Sequence, residues 1–248
     1  MDIREVLESY KAGRIDAAEA ERSLRADYIE SIGNDVNMDL GREIRKGTPE
    51  VVYARAKTPE TVEKILRSSK RRLLVSGATE GHFKAAEGIE GAELHRECGC
   101  IVIGGFPEEK YGPVAVITAG TSDIPVAKEA VLMARMMGCS CIEHFDIGVS
   151  GLHRLISPMK DVISRDAAAV VAVAGMEGAL PTLVSSLSPV PVVGVPTSTG
   201  YGMGGDGIAA LMGMLQSCSP GLSVVNIDNG IGAGAVAAMI ARGRVSEK

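Results

Sequence analysis

Pro113-Val114-Ala115-Val116-Ile117-Thr118-Ala119-Gly120-Thr121-Ser122-Asp123 is an apolar run that breaks into glycine and small hydroxyls and ends on a carboxylate. A run of this length, bounded by turn residues, reads as a strand buried on both faces that hands over to a helix. The pattern recurs at 140–147, 167–174, 190–196 and 222–227, with segments of helical length between. Strands of this kind alternating with helices predict a parallel α/β sheet covered on both sides. Right-handed crossovers then make a flavodoxin-like, doubly wound sheet with a five-strand core the expected topology.

Upstream the composition changes: 18 of the 26 Lys/Arg and 21 of the 31 Asp/Glu lie within residues 1–112, so residues 113–248 must be the more buried part. We read 1–112 as a helical hairpin followed by a small α/β subdomain, and 113–248 as one parallel α/β domain. In the hairpin, at 2–25, Ile3, Val6, Leu7 and Tyr10 recur at helical spacing, Gly13 stops the first helix, and Asp16-Ala17-Ala18-Glu19 opens the second like a capping box. Val51-Val52-Tyr53, Leu73-Leu74-Val75 and Ile101-Val102-Ile103 read as subdomain strands, and Thr58-Pro59-Glu60 as a helix start. Gly104, Gly105, Pro107, Gly112 and Pro113 punctuate the junction.

Composition narrows the functional classes. No apolar run approaches the roughly 20 residues of a bilayer helix, and Met1-Asp2-Ile3-Arg4-Glu5 lacks the apolar core of a secretory signal; a cytoplasmic location is expected. A net charge of −5, only 3% aromatic residues and no Trp argue against a nucleic-acid groove. Five cysteines at irregular spacing fit reduced thiols better than a disulfide framework.

In a doubly wound sheet, ligands bind beyond the carboxyl ends of the strands, where loops and helix N-termini meet. Five loops are expected there: Thr121-Ser122-Asp123; Asp146 through Ser150-Gly151-Leu152-His153-Arg154; Gly175-Met176-Glu177-Gly178; Thr197-Ser198-Thr199-Gly200-Tyr201-Gly202; and Asn226-Ile227-Asp228-Asn229-Gly230. Small hydroxyls and glycines supply neutral donors and close backbone approach for a phosphorylated small molecule, although Ser, Thr and Asp at such places also serve as helix caps. Arg154 can hold phosphate or carboxylate by a bidentate fork, and His153 can shuttle a proton near neutral pH. His82, His95 and His144 read as structural.

Cys98-Gly99-Cys100 and Cys139-Ser140-Cys141 have spacing poorly suited to zinc, and Cys139 and Cys141 read as small core residues. Cys218, in the polar turn Gln216-Ser217-Cys218-Ser219-Pro220-Gly221, is placed to react. The helix before it, near 206–217, carries the chain about 18 Å from the strand-end loops. If catalytic, Cys218 must therefore serve a neighbouring subunit.

Ala119-Gly120-Thr121-Ser122-Asp123, Asp146 through Leu155, Gly194-Val195-Pro196-Thr197-Ser198 through Gly200-Tyr201-Gly202, and Ser217-Cys218-Ser219-Pro220-Gly221 with Val225 through Gly230 together resemble the LarB carboxylase/hydrolases of nickel-pincer nucleotide cofactor synthesis. The resemblance extends more distantly to aminoimidazole ribonucleotide carboxylases and mutases. It implies carboxylation of the pyridinium ring of nicotinic acid adenine dinucleotide, with carbon dioxide or bicarbonate as co-substrate. Phosphoanhydride cleavage would follow, yielding pyridinium-3,5-biscarboxylic acid mononucleotide and AMP. It further implies a ring-like homo-octamer with shared sites. On this reading Cys218 is the nucleophile, and Asp123 with Ser122 or Ser150 lies near carbon dioxide and the transferred proton. His153 and Arg154 hold carboxylate or phosphate. Thr121, Gly151, Gly175, Met176, Gly178, Ser198, Gly200, Tyr201, Gly202, Asn226, Asp228 and Asn229 bind substrate. Magnesium would neutralise the pyrophosphate, with Glu177 the preferred ligand and Asp228 the second. The rival readings are an aminoimidazole ribonucleotide carboxylase or mutase, which needs no thiol, and a noncatalytic nucleotide sensor; flavin electron transfer ranks behind both because few aromatics are present to stack on it.

Overall fold

The computed structural model describes residues 3–26, 30–32, 36–38, 47–69 and 71–245. The chain begins with a helical hairpin, α1 (Ile3–Lys11) and α2 (Ala17–Ala26). Asp16 Oδ1 accepts the Glu19 N–H at 2.7 Å, the first half of the expected capping box. β1 (Glu30–Ile32) and β2 (Val36–Met38) pair antiparallel.

A four-stranded sheet follows, made of β3 (Glu50–Tyr53), β4 (Leu73–Ser76), β5 (Ala92–His95) and β6 (Cys100–Ile103) in the order β3-β4-β6-β5. β3 and β4 are parallel, joined by α3 (Pro59–Ser68), while β6 runs antiparallel to both β4 and β5. Thr58 caps α3 by accepting the Thr61 N–H at 3.3 Å, with Pro59 in the first turn, where its missing N–H costs nothing. His82, in α4 (Glu80–Ala86), is buried. One ring nitrogen takes the Thr79 N–H at 3.0 Å and the other lies 3.0 Å from the Lys57 carbonyl, a structural role. β5 has no continuous apolar run: Ala92-Glu93-Leu94-His95 is a half-exposed edge strand, and its alternation is too short to stand out in the sequence.

The third unit is the expected five-stranded sheet. Its strands are β7 (Tyr111–Thr118), β8 (Cys139–His144), β9 (Ala169–Ala174), β10 (Val192–Pro196) and β11 (Leu222–Val224), all parallel, in the order β8-β7-β9-β10-β11. Between and after them run α5 (Ile124–Met136), α6 (His153–Ser164), α7 (Ala179–Leu187), α8 (Ile208–Leu215) and α9 (Gly230–Val245). This is the flavodoxin-like strand order. Alternate strand residues face opposite layers: Val116, Val171, Val173 and Val195 pack with Ala130, Ala134 and Ala237 of α5 and α9, while Ala115, Ile117, Val170 and Ala172 pack with Leu155, Leu180 and Met214 of α6, α7 and α8. Because both faces are covered, every residue of β9 is buried. Leu74, Cys100 and Val102 of the smaller sheet, with Cys98 in the turn before β6, join the α5 side of this core, so the two sheets share one packed layer. Among the described residues no helix is long and apolar enough to cross a membrane.

α5 and α9 approach so closely that a Cβ at Gly230 would lie 2.1 Å from the Val126 carbonyl, and one at Gly234 2.4 Å from the Ala130 carbonyl. Backbone cannot yield as a flexible side chain does. Gly234→Ala should therefore force the helices apart and destabilise the chain by about 1–3 kcal/mol, read as a lower midpoint of urea unfolding; an unchanged midpoint would show that the helices can part freely.

Candidate active site at the carboxyl pole

The strand order reverses between β7 and β9, and at their carboxyl ends a cavity of about 300 Å³ opens. Four of the five expected loops line it, through Gly120, Ser122 and Asp123; Gly148, Val149 and Ser150; Gly175, Met176 and Glu177; and Thr199 and Tyr201. Ala179 and Leu180, the first turn of α7, complete the wall and turn that helix's amino end toward the cavity.

Asp123 is the organising side chain. It is 2% exposed, and a buried carboxylate must be hydrogen-bonded to remain charged. Oδ1 accepts from Thr197 Oγ1 at 2.7 Å and Thr199 Oγ1 at 3.0 Å, and Oδ2 accepts the Gly120 N–H at 2.9 Å. Gly175 makes this possible, since a Cβ there would stand 2.5 Å from Thr199 Oγ1 and 2.9 Å from Thr197 Oγ1. Thr197 and Thr199, which belong to the fourth expected loop but not to the substrate-binding set that the resemblance implies, are thus site residues. Strand alternation continued past Pro196 would have pointed Thr197 and Thr199 to one side together.

Ser122 and Ser150 are exposed on the cavity wall, Tyr201 is 79% exposed and Met176 45%. Thr121 begins the short 3-10 turn that carries Ser122 and Asp123, and is itself exposed. Gly151, His153 and Arg154 stand outside the cavity wall. Arg154 donates to the Asp146 carbonyl at 3.1 Å and to Ser150 Oγ at 3.4 Å, bracing the loop from Asp146 to Ser150. His153 is exposed at the start of α6. Gly178 packs onto α8 against Ala210, Gly200 lies against the Met176 backbone, and Gly202, at φ +83, turns the chain after Tyr201.

The fifth loop supports the fourth. Asp228 Oδ1 accepts the Ser198 N–H at 2.9 Å, holding the segment that carries Thr197 and Thr199. Asn226 bonds the neighbouring Ile227 N–H, and Asn229 caps α9 through the Gly232 N–H at 2.8 Å. Glu129 of α5 meets the same helix start. Burial and the Asp228 carboxylate push its carboxyl up to about 7, against the pull of the Ile231 and Gly230 backbone N–H groups and of Arg55 from the smaller sheet.

Cys218 is exposed in the turn between α8 and β11, at the amino pole of the sheet. Ser217 and Pro220 tie that turn to α7 through Thr182 and Ser185, both at 2.9 Å. The five residues of β10 separate this pole from the cavity, roughly 15 Å along the strand. The other four thiols are buried or half-buried; burial pushes Cys139 up to about 11 and Cys141 up to about 12, and the hydrogen bond that Cys100 donates to Cys98, together with burial, raises Cys100 further. None of these four is a ready nucleophile. No group of three or more His, Cys, Asp or Glu able to hold a metal occurs among the described residues.

Because the folded chain holds the Glu129 proton more tightly than an unfolded chain titrating near 4.5, this group's stabilisation is complete below that pH and is lost as pH rises through about 7. Glu129→Gln should flatten the fall in stability between those limits by on the order of 1–3 kcal/mol, measured by denaturation across pH. A variant with the same slope as the parent would show that Glu129 titrates normally.

Residues 113–247 match the AIR carboxylase family, and residues 29–104 match the LarB/PurE-like N-terminal domain. Uncharacterized protein MJ0165 of Methanocaldococcus jannaschii is 37% identical over 97% of this chain and 97% of its own length. The N5-carboxyaminoimidazole ribonucleotide mutases of M. jannaschii and Thermotoga maritima are 30% and 31% identical, over 52% and 51% of this chain and 75% and 73% of theirs. With an AIR-carboxylase fold behind a LarB-type N-terminal domain, the chain belongs to the LarB family and is a carboxylase-related enzyme.

Proposed function

We propose that this enzyme carboxylates the pyridinium ring of nicotinic acid adenine dinucleotide through a transient cysteinyl adduct, then cleaves the phosphoanhydride to release AMP. The observation that carries this reading is the electrostatics of the cavity. Two carboxylates, Asp123 and Glu177, line it, no Lys, Arg or His does so among the described residues, and Tyr201 and Met176 offer it soft, polarisable faces. Such walls suit a permanently cationic aromatic ring better than a phosphate group. The amino end of α7 complements the carboxylate that the ring carries.

A pyridinium ring is electron-poor and cannot attack carbon dioxide. Addition of the Cys218 thiolate to the carbon para to nitrogen moves an electron pair onto nitrogen and leaves a dihydropyridine whose meta carbon is an enamine nucleophile. That carbon attacks carbon dioxide, forming the new C–C bond and, from the enamine, an iminium. A base takes the proton from the carboxylated carbon and restores the enamine. Expulsion of the thiolate then breaks the C–S bond and restores aromaticity. Asp123, held as an acceptor from three sides, is our choice for the proton, with the Ser122 and Ser150 hydroxyls directed at the incoming carboxylate. His153 and Arg154, which begin α6 beside the cavity, are left for the outer parts of the dinucleotide.

Water then attacks the anhydride, with AMP as the leaving group. A divalent ion such as magnesium supplies charge neutralisation for such hydrolysis. Glu177, one exposed carboxylate on the cavity wall, fits an ion that takes most of its ligands from substrate phosphates and water.

The remoteness of Cys218 is met by self-association with sites shared between subunits. Ile208, Met212 and Leu215 are exposed on one side of α8, at 55%, 64% and 62%, and this apolar stripe leads directly to the Cys218 turn. A second copy seated there would bring each thiol to a neighbour's cavity.

A second reading follows from the N5-carboxyaminoimidazole ribonucleotide mutases among the relatives: an imidazole ribonucleotide substrate, for which no thiol is needed. Incubation with nicotinic acid adenine dinucleotide, magnesium and labelled bicarbonate should yield AMP and a labelled ring dicarboxylate, and Cys218→Ala should lower this at least about a thousandfold. Unchanged dinucleotide by mass spectrometry would end the proposal. Turnover of aminoimidazole ribonucleotide that survives Cys218→Ala would establish the second reading.

A further inference from the structure

Glu129 stands where the smaller sheet and the cavity loops meet. It lies in α5, about 9 Å along the helix from Asp123, which immediately precedes that helix. Its carboxyl rests on the first turn of α9. A Cβ at Gly230 would lie 2.9 Å from Glu129 Cβ and 3.0 Å from Oε2, and the Gly230 and Ile231 N–H groups donate to the carboxyl. The first N–H groups of a helix have no partner within it, so this side chain fixes where α9 begins.

From that point the contacts run back to the cavity. Asp228 lies two residues before Gly230 and clasps the fourth loop in both directions: its N–H donates to the Pro196 carbonyl at 2.9 Å, and its Oδ1 accepts the Ser198 N–H at 2.9 Å. Thr197 and Thr199, on either side of Ser198, donate to Asp123. The fourth loop is thus held twice to one helix, at its start through Asp123 and further along through Glu129. A shift of the α9 start relative to α5 must pull Ser198 against Thr197 and Thr199, or break one of these bonds.

The smaller sheet meets this ring of contacts at Arg55. Its side chain leaves the turn after β3, which is fixed by the Ala54 N–H on the Ser76 carbonyl and the Lys57 N–H on the Ala54 carbonyl, both at 2.8 Å. Arg55 attracts the Glu129 carboxyl while Asp228 repels it, so opposite charges act on Glu129 from the two sides of the junction. Without the attraction, the repulsion is unopposed and drives the start of α9 away from α5.

We infer that Glu129 is a positioning residue through which the smaller sheet, by way of Arg55, sets the fourth loop of the carboxyl-pole cavity. The smaller sheet lines no part of that cavity among the described residues, yet it acts there through this link. The inference rests on the reading of the cavity as the reaction site, whatever ring is bound there.

Amide hydrogen exchange of the whole protein, read by mass spectrometry at about pH 8, where the Glu129 carboxyl is mostly charged, tests this without substrate. Glu129→Ala should speed exchange of the segment 197–202 at least about tenfold while β9 exchanges as in the parent. Glu129→Gln, which keeps an oxygen for the Gly230 and Ile231 N–H groups and carries no charge for Asp228 to repel, should restore protection. Arg55→Ala, at an exposed position, should speed the same segment at least about threefold in the parent and add nothing in the Glu129→Gln chain. Arg96→Ala, which breaks two exposed ion pairs to Glu80 and Glu87 beside the same sheet, should leave the segment unchanged. Exchange of 197–202 that Arg55→Ala leaves at the parent rate, that it speeds equally in the Glu129→Gln chain, or that Arg96→Ala speeds as much, overturns the inference. None of these outcomes bears on whether the carboxylation assay succeeds, so the two readings fail separately.

Discussion

A carboxylate buried to 2% exposure must be satisfied by donors, and in this chain the donors to Asp123 come from two loops far apart in sequence. Hydrogen bonds to a charged group contribute on the order of 1.5–3 kcal/mol each, and removing a partner from a buried charge costs more than that. The loop after β7 and the loop after β10 are therefore tied together, Gly175 after β9 is confined to glycine by the hydroxyls that cross it, and Asp228 secures the fourth loop from behind. The cavity at the carboxyl pole is the space these ties leave at the switch point of the sheet. Its acidity follows from the same arrangement, because the group that holds the loops together is itself an anion.

Much of this was legible in the sequence, for a physical reason. A parallel sheet covered on both faces produces strands without polar interruption, so β7 through β11 and their order of appearance could be read directly, and the pole where their loops meet followed from the topology. β5 escaped notice because an edge strand with one half-exposed face has no such run. Which way a loop side chain turns was not legible. Arg154 reads as an anion ligand in sequence, and the fold adds that it braces Asp146 and Ser150. Asn229 reads as a ligand group and caps a helix. Glu129 drew no attention, since a glutamate among helical residues ordinarily marks a solvated face, and only the close contact of α5 with the start of α9 buries it.

The molecule is polar in a functional sense. The carboxyl pole gathers carboxylates, hydroxyls and an aromatic ring; the amino pole carries the exposed thiol in the α8–β11 turn. Chemistry that needs both the buried acid and the thiol cannot be completed within one copy, because β10 lies between them. The apolar stripe on α8 connects these facts: the surface that carries Cys218 is the one that calls for a covering neighbour.

The central claim, that the thiol of one subunit acts in the cavity of another, is tested most directly by complementation. Cys218→Ala and Asp123→Asn chains, each inactive alone, are mixed and reassembled in equal amounts. Sites built from two chains should regain about a quarter of the parent's carboxylation rate, since a quarter of random pairings unite an intact Asp123 with an intact Cys218. A mixture as inactive as its components would contradict the account.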